Sequence, residues 1–132
     1  KGGIYHEDFF DDIRISVETS YQNPRLHHDA GHHMFAYRIT IHNKGDYTIK
    51  LLRRHWYITD VNIEKAEVEG EGVVGVQPVL EPGESHQYVS GCALHSEFGK
   101  MHGTYLMERQ IDGKRFEVTI PEFQLVAPFR LN

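Results

Sequence analysis

Apolar and polar residues alternate with a period of two along most of this chain. Ile13, Ile15 and Val17 fall on one side of an extended backbone, and Arg14, Ser16 and Glu18 on the other. That is the pattern of a half-buried strand. Gln22-Asn23-Pro24 closes it, since proline has no N–H to give a ladder. The clearest predicted strand covers 34–43, with Phe35, Tyr37, Ile39 and Ile41 on one face and Arg38, Thr40 and His42 opposite. Asn43-Lys44-Gly45-Asp46 reads as a turn with Gly45 at positive φ, returning 47–60 as an antiparallel partner of 34–43. Within that return the phase breaks. Ile49 and Leu51 share one face, while Leu52, Trp56 and Ile58 share the other. A β-bulge near Leu51-Leu52, or a strand covered on both faces, is expected there.

Further on, 65–69 is a short strand with Ala66 and Val68 inward, and Gln77-Pro78-Val79-Leu80 is extended by its proline. Glu81-Pro82-Gly83-Glu84 fits a type II turn. Residues 86–90 form another strand, and 91–103 is looser, with Gly99 and Gly103 as breaks. The best hairpin joins 104–110 to 115–121 through Asp112-Gly113, a pair favoured in type I′ turns, with Phe123 and Leu125 extending the edge. No window has helical apolar spacing. The prediction is an all-β fold, an antiparallel two-sheet β-sandwich, with a closed barrel as the alternative. Residues 1–12, ending in Glu7-Asp8-Phe9-Phe10-Asp11-Asp12, are expected to be a mobile arm that docks its two Phe residues, and 13–132 a single domain.

Composition narrows the function classes. The 132 residues suit one domain, and 39% hydrophobic with 25% charged is ordinary for a folded soluble protein. A net charge of −5 argues against generic nucleic-acid binding, which needs a basic surface. No apolar run is long enough to span a bilayer, and the first ten residues do not make a secretory signal. The missing initiator Met is expected of a trimmed chain or of a domain from a longer one. Cys92 is the single cysteine, so no intrachain disulfide forms. A small buried residue in a reducing, cytoplasmic setting is the expectation for it.

Three stretches carry candidate chemistry. Gly70, Gly72 and Gly75 stand at Gly-x-Gly-x-x-Gly spacing after the strand-like 51–60. A dinucleotide site needs a helix directly after such a motif, and Val76-Gln77-Pro78 cannot start one. What remains is a backbone accommodation beside a packed sheet, or an anion nest for phosphate, pyrophosphate or a nucleotide, approached by Arg53 or Arg54. In Arg53-Arg54-His55-Trp56, alternation puts Arg54 and Trp56 on one face and Arg53 and His55 on the other. Trp56 is expected in the core, with one Arg on the surface as a contact for an acidic partner. His27, His28, Asp29, His32 and His33 are a candidate divalent-metal set, though they lack the regular spacing of a metal motif, and a solvated loop is the plainer reading. No nucleophile elbow or acid–base constellation stands out, so no catalytic residue is assigned.

Taken in order, these segments resemble the ApaG domain family. The resemblance rests on Phe35-Ala36-Tyr37-Arg38-Ile39-Thr40-Ile41, on Leu52-Arg53-Arg54-His55-Trp56, on the 70–78 glycine stretch, on Met101-His102-Gly103-Thr104-Tyr105 and on Phe116 to Phe123. It implies an immunoglobulin- or fibronectin type III-like β-sandwich. It also implies bacterial cytoplasmic proteins associated genetically with cobalt resistance and magnesium efflux, and a module of eukaryotic F-box and DNA polymerase delta-interacting proteins with a protein-recognition role. The family offers no catalytic residues, and its suggested pyrophosphate feature falls on Gly70, Gly72 and Gly75. The histidine-rich Leu26 to His33 departs from the family pattern, so no metal role transfers to it. The combined expectation is a non-enzymatic binding module without a cofactor, a monomer or homodimer, with a protein partner. A phosphate or pyrophosphate at the 70–75 turn is the alternative, and a divalent metal at the 27–33 loop the second.

Overall fold

An alternating segment needs partners for its backbone N–H and C=O groups and a cover for its apolar face. Two antiparallel sheets supply both. The computed structural model describes residues 5–10, 12–22, 33–60 and 65–128. Its strands are β1 (Tyr5–Phe10), β2 (Ile13–Tyr21), β3 (His33–Asn43), β4 (Ile49–Asp60), β5 (Lys65–Glu71), β6 (Val79–Leu80), β7 (Ser85–Leu94), β8 (Phe98–Arg109) and β9 (Arg115–Val126). The first sheet has the order β1-β2-β3-β7; the second has β5-β4-β8-β9, with β6 also on β4. The predicted all-β sandwich is therefore the architecture found, and the two sheets share no strand. Among the described residues no helix is long and apolar enough to cross a membrane.

The core lies between the sheets. Ile15, Val17, Ile39 and Ile41 from the first sheet and Met107, Val118, Ile120 and Phe123 from the second are at most 1% exposed. Trp56 is buried as expected, with its ring edge-on to Tyr37 at 5.6 Å and to Phe123 at 5.8 Å. Burial of one such side chain contributes roughly 1.5–3 kcal/mol. The predicted bulge is present: the β4–β8 register shifts between Leu51 and Arg53. It turns the core-facing set from Ile49 and Leu51 to Trp56, which accounts for the broken phase.

Several expectations are corrected. The chain does not return from β3 as a hairpin. β3 pairs β2 and β7, while β4 lies in the other sheet. Buried Asn43 holds this crossing, donating from Nδ2 to the carbonyls of Tyr47 (2.8 Å) and Leu80 (2.9 Å) and accepting from the Gly45 N–H (3.0 Å). Gly45 takes no positive φ; a Cβ there would stand 3.3 Å from that of Asp12, a tight contact. The segment expected to be an arm contains β1, paired along its length with β2. Asp12, at φ 63, closes that tight turn, a conformation acidic residues tolerate better than most. Val68 faces inward beside its ladder partner Trp56, as expected, yet it and Ala66 stay exposed because β5 is an edge strand.

The looser 91–103 segment is mostly β7 and β8, and only 95–97 bends. Buried Asp60 organises that bend, accepting from the N–H groups of His95 (2.6 Å) and Ser96 (3.2 Å) and from the Ser96 hydroxyl. The β8–β9 turn is not type I′, since Gly113 alone takes positive φ (72°); Asp112 instead caps Arg109 and the Lys114 N–H. The Glu81–Glu84 turn is as predicted, with Gly83 at φ 89 and a Glu84 N–H to Glu81 carbonyl bond of 2.9 Å.

Candidate functional site

The bulge in β4 divides the charged stretch between two surfaces. Arg53 projects from the outer face of the second sheet and is exposed, with His55 and Tyr57 on the same face. Arg54 turns to the inner side, beside Trp56, and lines a cleft between the sheets.

Arg54 explains part of the glycine motif. Its Nη1 donates to the carbonyls of Glu71 (2.9 Å) and Gly72 (3.0 Å). Gly70 is opposite Arg54 in the ladder, and any Cβ on it would meet the guanidinium at 2.8 Å. Gly72 and Gly75 have a different reason. Residues 73–76 form a tight reversal in which Val73 and Val76 exchange both backbone hydrogen bonds, at 2.8 and 3.1 Å. Val74 (φ 45) and Gly75 (φ 80) are its two left-handed positions, as a type I′ turn requires. Gly72, at φ 62, carries the chain in, where a Cβ would lie 2.1 Å from the Val76 carbonyl oxygen. The N–H groups of Gly72, Val73 and Val76 are taken by the carbonyls of Leu52, Val76 and Val73. An anion nest draws on N–H groups directed outward together; here these three serve the corner itself.

The outer face carries the most concentrated chemistry. The ladder sets Arg53 opposite Glu71, His55 opposite Glu69 and Tyr57 opposite Glu67. Both ring nitrogens of His55 meet a carboxylate, Nε2 to Glu67 at 2.5 Å and Nδ1 to Glu69 at 2.8 Å. The His55 ring stacks on Tyr57 at 4.5 Å, and Tyr57 stacks on His102 of β8 at 5.1 Å. His55, Glu67 and Glu69 have ligand atoms within 4.8 Å of one another, close enough to share a divalent cation. Cross-strand pairing already matches their chemistry without an ion. The sequence did hold a signal for this cluster: Glu67-x-Glu69-x-Glu71 alternates in phase with Arg53-x-His55-x-Tyr57. The expected inward facing of Ala66 and Val68 put those Glu residues on the outside, but nothing in the sequence showed that the two segments pair.

Of the histidines singled out as metal candidates, His27, His28 and His32 lie outside the described residues, as does Asp29. His33 opens β3, and its Nδ1 is 3.0 Å from the Tyr21 hydroxyl.

Beneath the cleft the core holds a polar pair. The hydroxyls of Tyr88 and Tyr105 are 2.5 Å apart and buried. Burial pushes both phenols above the usual tyrosine range, more than any neighbouring charge does. Cys92 is buried as expected, and burial, helped by the Asp60 carboxylate, raises its thiol to about 11. A thiol so placed is a poor nucleophile at neutral pH.

Comparison with known proteins gives a consistent result. A profile of the ApaG domain matches residues 23–109. Protein ApaG of Paramagnetospirillum magneticum is 46% identical over 124 residues, covering 92% of this chain and 95% of the relative. Protein ApaG of Azoarcus sp. is 47% identical over 116 residues, covering 88% and 91%. The crystal structure of a Bordetella pertussis protein described as ApaA superposes with a TM-score of 0.80 at 40% identity, covering 89% of this chain and 94% of that one.

Proposed function

The chain belongs to the ApaG domain family, and on that footing we propose that it is a non-enzymatic binding module that recognises another protein through the outer face of β4. The observation that carries this reading is the stripe of Arg53, His55, Tyr57 and His102. Tyr57 stays 38% exposed while stacked between two imidazoles. A ring held on both sides loses little side-chain entropy when a partner covers it, and Tyr and Arg are the usual anchors of protein interfaces. Arg53 beside it supplies a charge-assisted donor for an acidic or carbonyl-rich contact. The same proposal takes the sandwich as immunoglobulin- or fibronectin type III-like and the setting as cytoplasmic, in keeping with a single, buried Cys92.

The test is affinity capture with the full chain and with an Arg53→Glu/Tyr57→Ala double variant of unchanged melting temperature. A partner recovered by the wild type and reduced at least tenfold by the variant is the expected result. Recovery of no protein above background, or equal recovery by both, overturns the proposal.

A further inference from the structure

We propose that the outer edge of β7, unpaired among the described residues, accepts an extended segment of a partner protein as an added strand, with that segment's inward side chains filling the cleft between the sheets. This rests on the reading of the domain as a protein-binding module but places a second contact on a different surface. The outer strands of the two sheets are β1, β7, β5 and β9. Exposed edges recruit foreign strands unless charge, proline or irregularity discourages it. β1 carries Glu7 and Asp8, β5 carries Lys65, Glu67, Glu69 and Glu71, and β9 carries Arg115, Glu117, Pro121 and Glu122. β7, ten residues of Ser-His-Gln-Tyr-Val-Ser-Gly-Cys-Ala-Leu, has no Asp, Glu, Lys, Arg or Pro, and its one imidazole is that of His86 near its start. Among the described residues no strand pairs with its far side, and Val89 on its outer face is 57% exposed.

The cleft beside this edge, ≈ 320 Å³, separates Ser90 and Gly91 of β7 from Trp56, Val68 and Val74 across the sandwich. It exists because β7 has small residues, Ser90 and Gly91, at its middle, and Val68 of β5 on the far wall stays 40% exposed. A strand laid along β7 would direct alternate side chains into this space. The lining includes one cation, Arg54, and no carboxylate. Both of Arg54's hydrogen bonds to the described residues leave from Nη1. The complementary segment is therefore apolar at its inward positions, with one carboxylate directed at Arg54. A second copy of this chain pairing β7 to β7 would not fill the cleft, because its own inward residues, Tyr88 and Cys92, are already buried in its own core.

The probe is a library of random linear decapeptides displayed on phage and panned on the immobilised full chain. Enriched peptides should alternate apolar residues and carry one Asp or Glu in the same phase. A synthetic consensus peptide should lose at least tenfold in affinity when one alternate set of its amides is N-methylated, and less than threefold when the other set is. Val68→Glu in the protein, or Asp→Asn in the peptide, should also cost at least tenfold, while Tyr57→Ala changes nothing. Peptides that bind with both methylation sets equivalent, or that respond to Tyr57→Ala and not to Val68→Glu, overturn the edge assignment and leave the binding-module reading standing. Failure to enrich any peptide, or a concentration-dependent dimer in sedimentation that occludes β7, overturns it as well.

Discussion

The guanidinium of Arg54 lies against Gly70, so that a Cβ on Gly70 would stand 2.8 Å from Nη2. From that position Arg54 donates to two carbonyls of the following corner. The first glycine of the triplet therefore makes room for an arginine, and the other two for a reversed backbone.

The three glycines should accordingly differ on substitution. Gly72→Ala meets the Val76 carbonyl at 2.1 Å with φ at +62°, and both the backbone clash and the left-handed strain act, so a loss above about 2 kcal/mol is expected. Gly70→Ala displaces only the end of a flexible side chain, and Gly75→Ala meets nothing but sits at φ +80; each should cost about 1 kcal/mol. Urea denaturation of the three variants checks the order.

The same hydrogen bonding bears on ligands. With the N–H groups of Gly72, Val73 and Val76 already bonded, calorimetric titration of the protein with millimolar pyrophosphate should give no more than the heat of dilution. A saturable heat abolished by Gly75→Ala would show that the corner opens.

Stability should fall in alkali. Tyr37, Tyr88 and Tyr105 have phenols raised above the unfolded value of 10.0, and Cys92 is raised from 9.0 to about 11. A group with a raised folded pKa binds more protons in the native state above its unfolded pKa. Its stabilising contribution is complete below the unfolded pKa and is lost as pH rises toward the folded one. The urea midpoint should hold steady up to about pH 9 and decline above it. A Tyr88→Phe/Tyr105→Phe pair should weaken the decline. Either single change should cost about 1–2 kcal/mol at pH 7 by leaving one buried hydroxyl without its partner, and the double less than the sum.

Asp60→Ala should be among the most damaging polar substitutions. It strips acceptors from the N–H groups of His95 and Ser96 and from the Ser96 hydroxyl, all near the base of β8. A loss of about 2–4 kcal/mol is expected, with Asp60→Asn in between; thermal unfolding measures both.

What the sequence revealed, and what it hid, follows from how local each feature is. The facing of Ile13 to Val17 and of Phe35 to Ile41, the bulge after Leu51 and the Gly83 turn were legible because alternation and turn chemistry act within a few residues. The pairing partner of β4 was not, since it lies some fifty residues away in β8 and the short 44–48 link resembles a hairpin turn. The β1 strand was hidden because its cross-strand partners, not its own mixed acidic-aromatic pattern, make it a strand. Arg53 and Arg54 were correctly parted between two faces, yet the carboxylates around His55 could not be placed until β5 was seen beside β4. Val68 does face inward, into the cleft beside Trp56, but its 40% exposure could not be foreseen, because a single sequence does not show that a strand stands at an edge.

The most direct test of the central claim places a photoreactive phenylalanine analogue at position 57 of the full chain, and at exposed Glu122 on β9 as a control, and irradiates living cells of the source. Recognition through the outer face of β4 predicts a discrete protein adduct from position 57 that disappears with Arg53→Glu and is not formed from position 122. Equal adduct patterns from the two positions, or none from position 57, would contradict it.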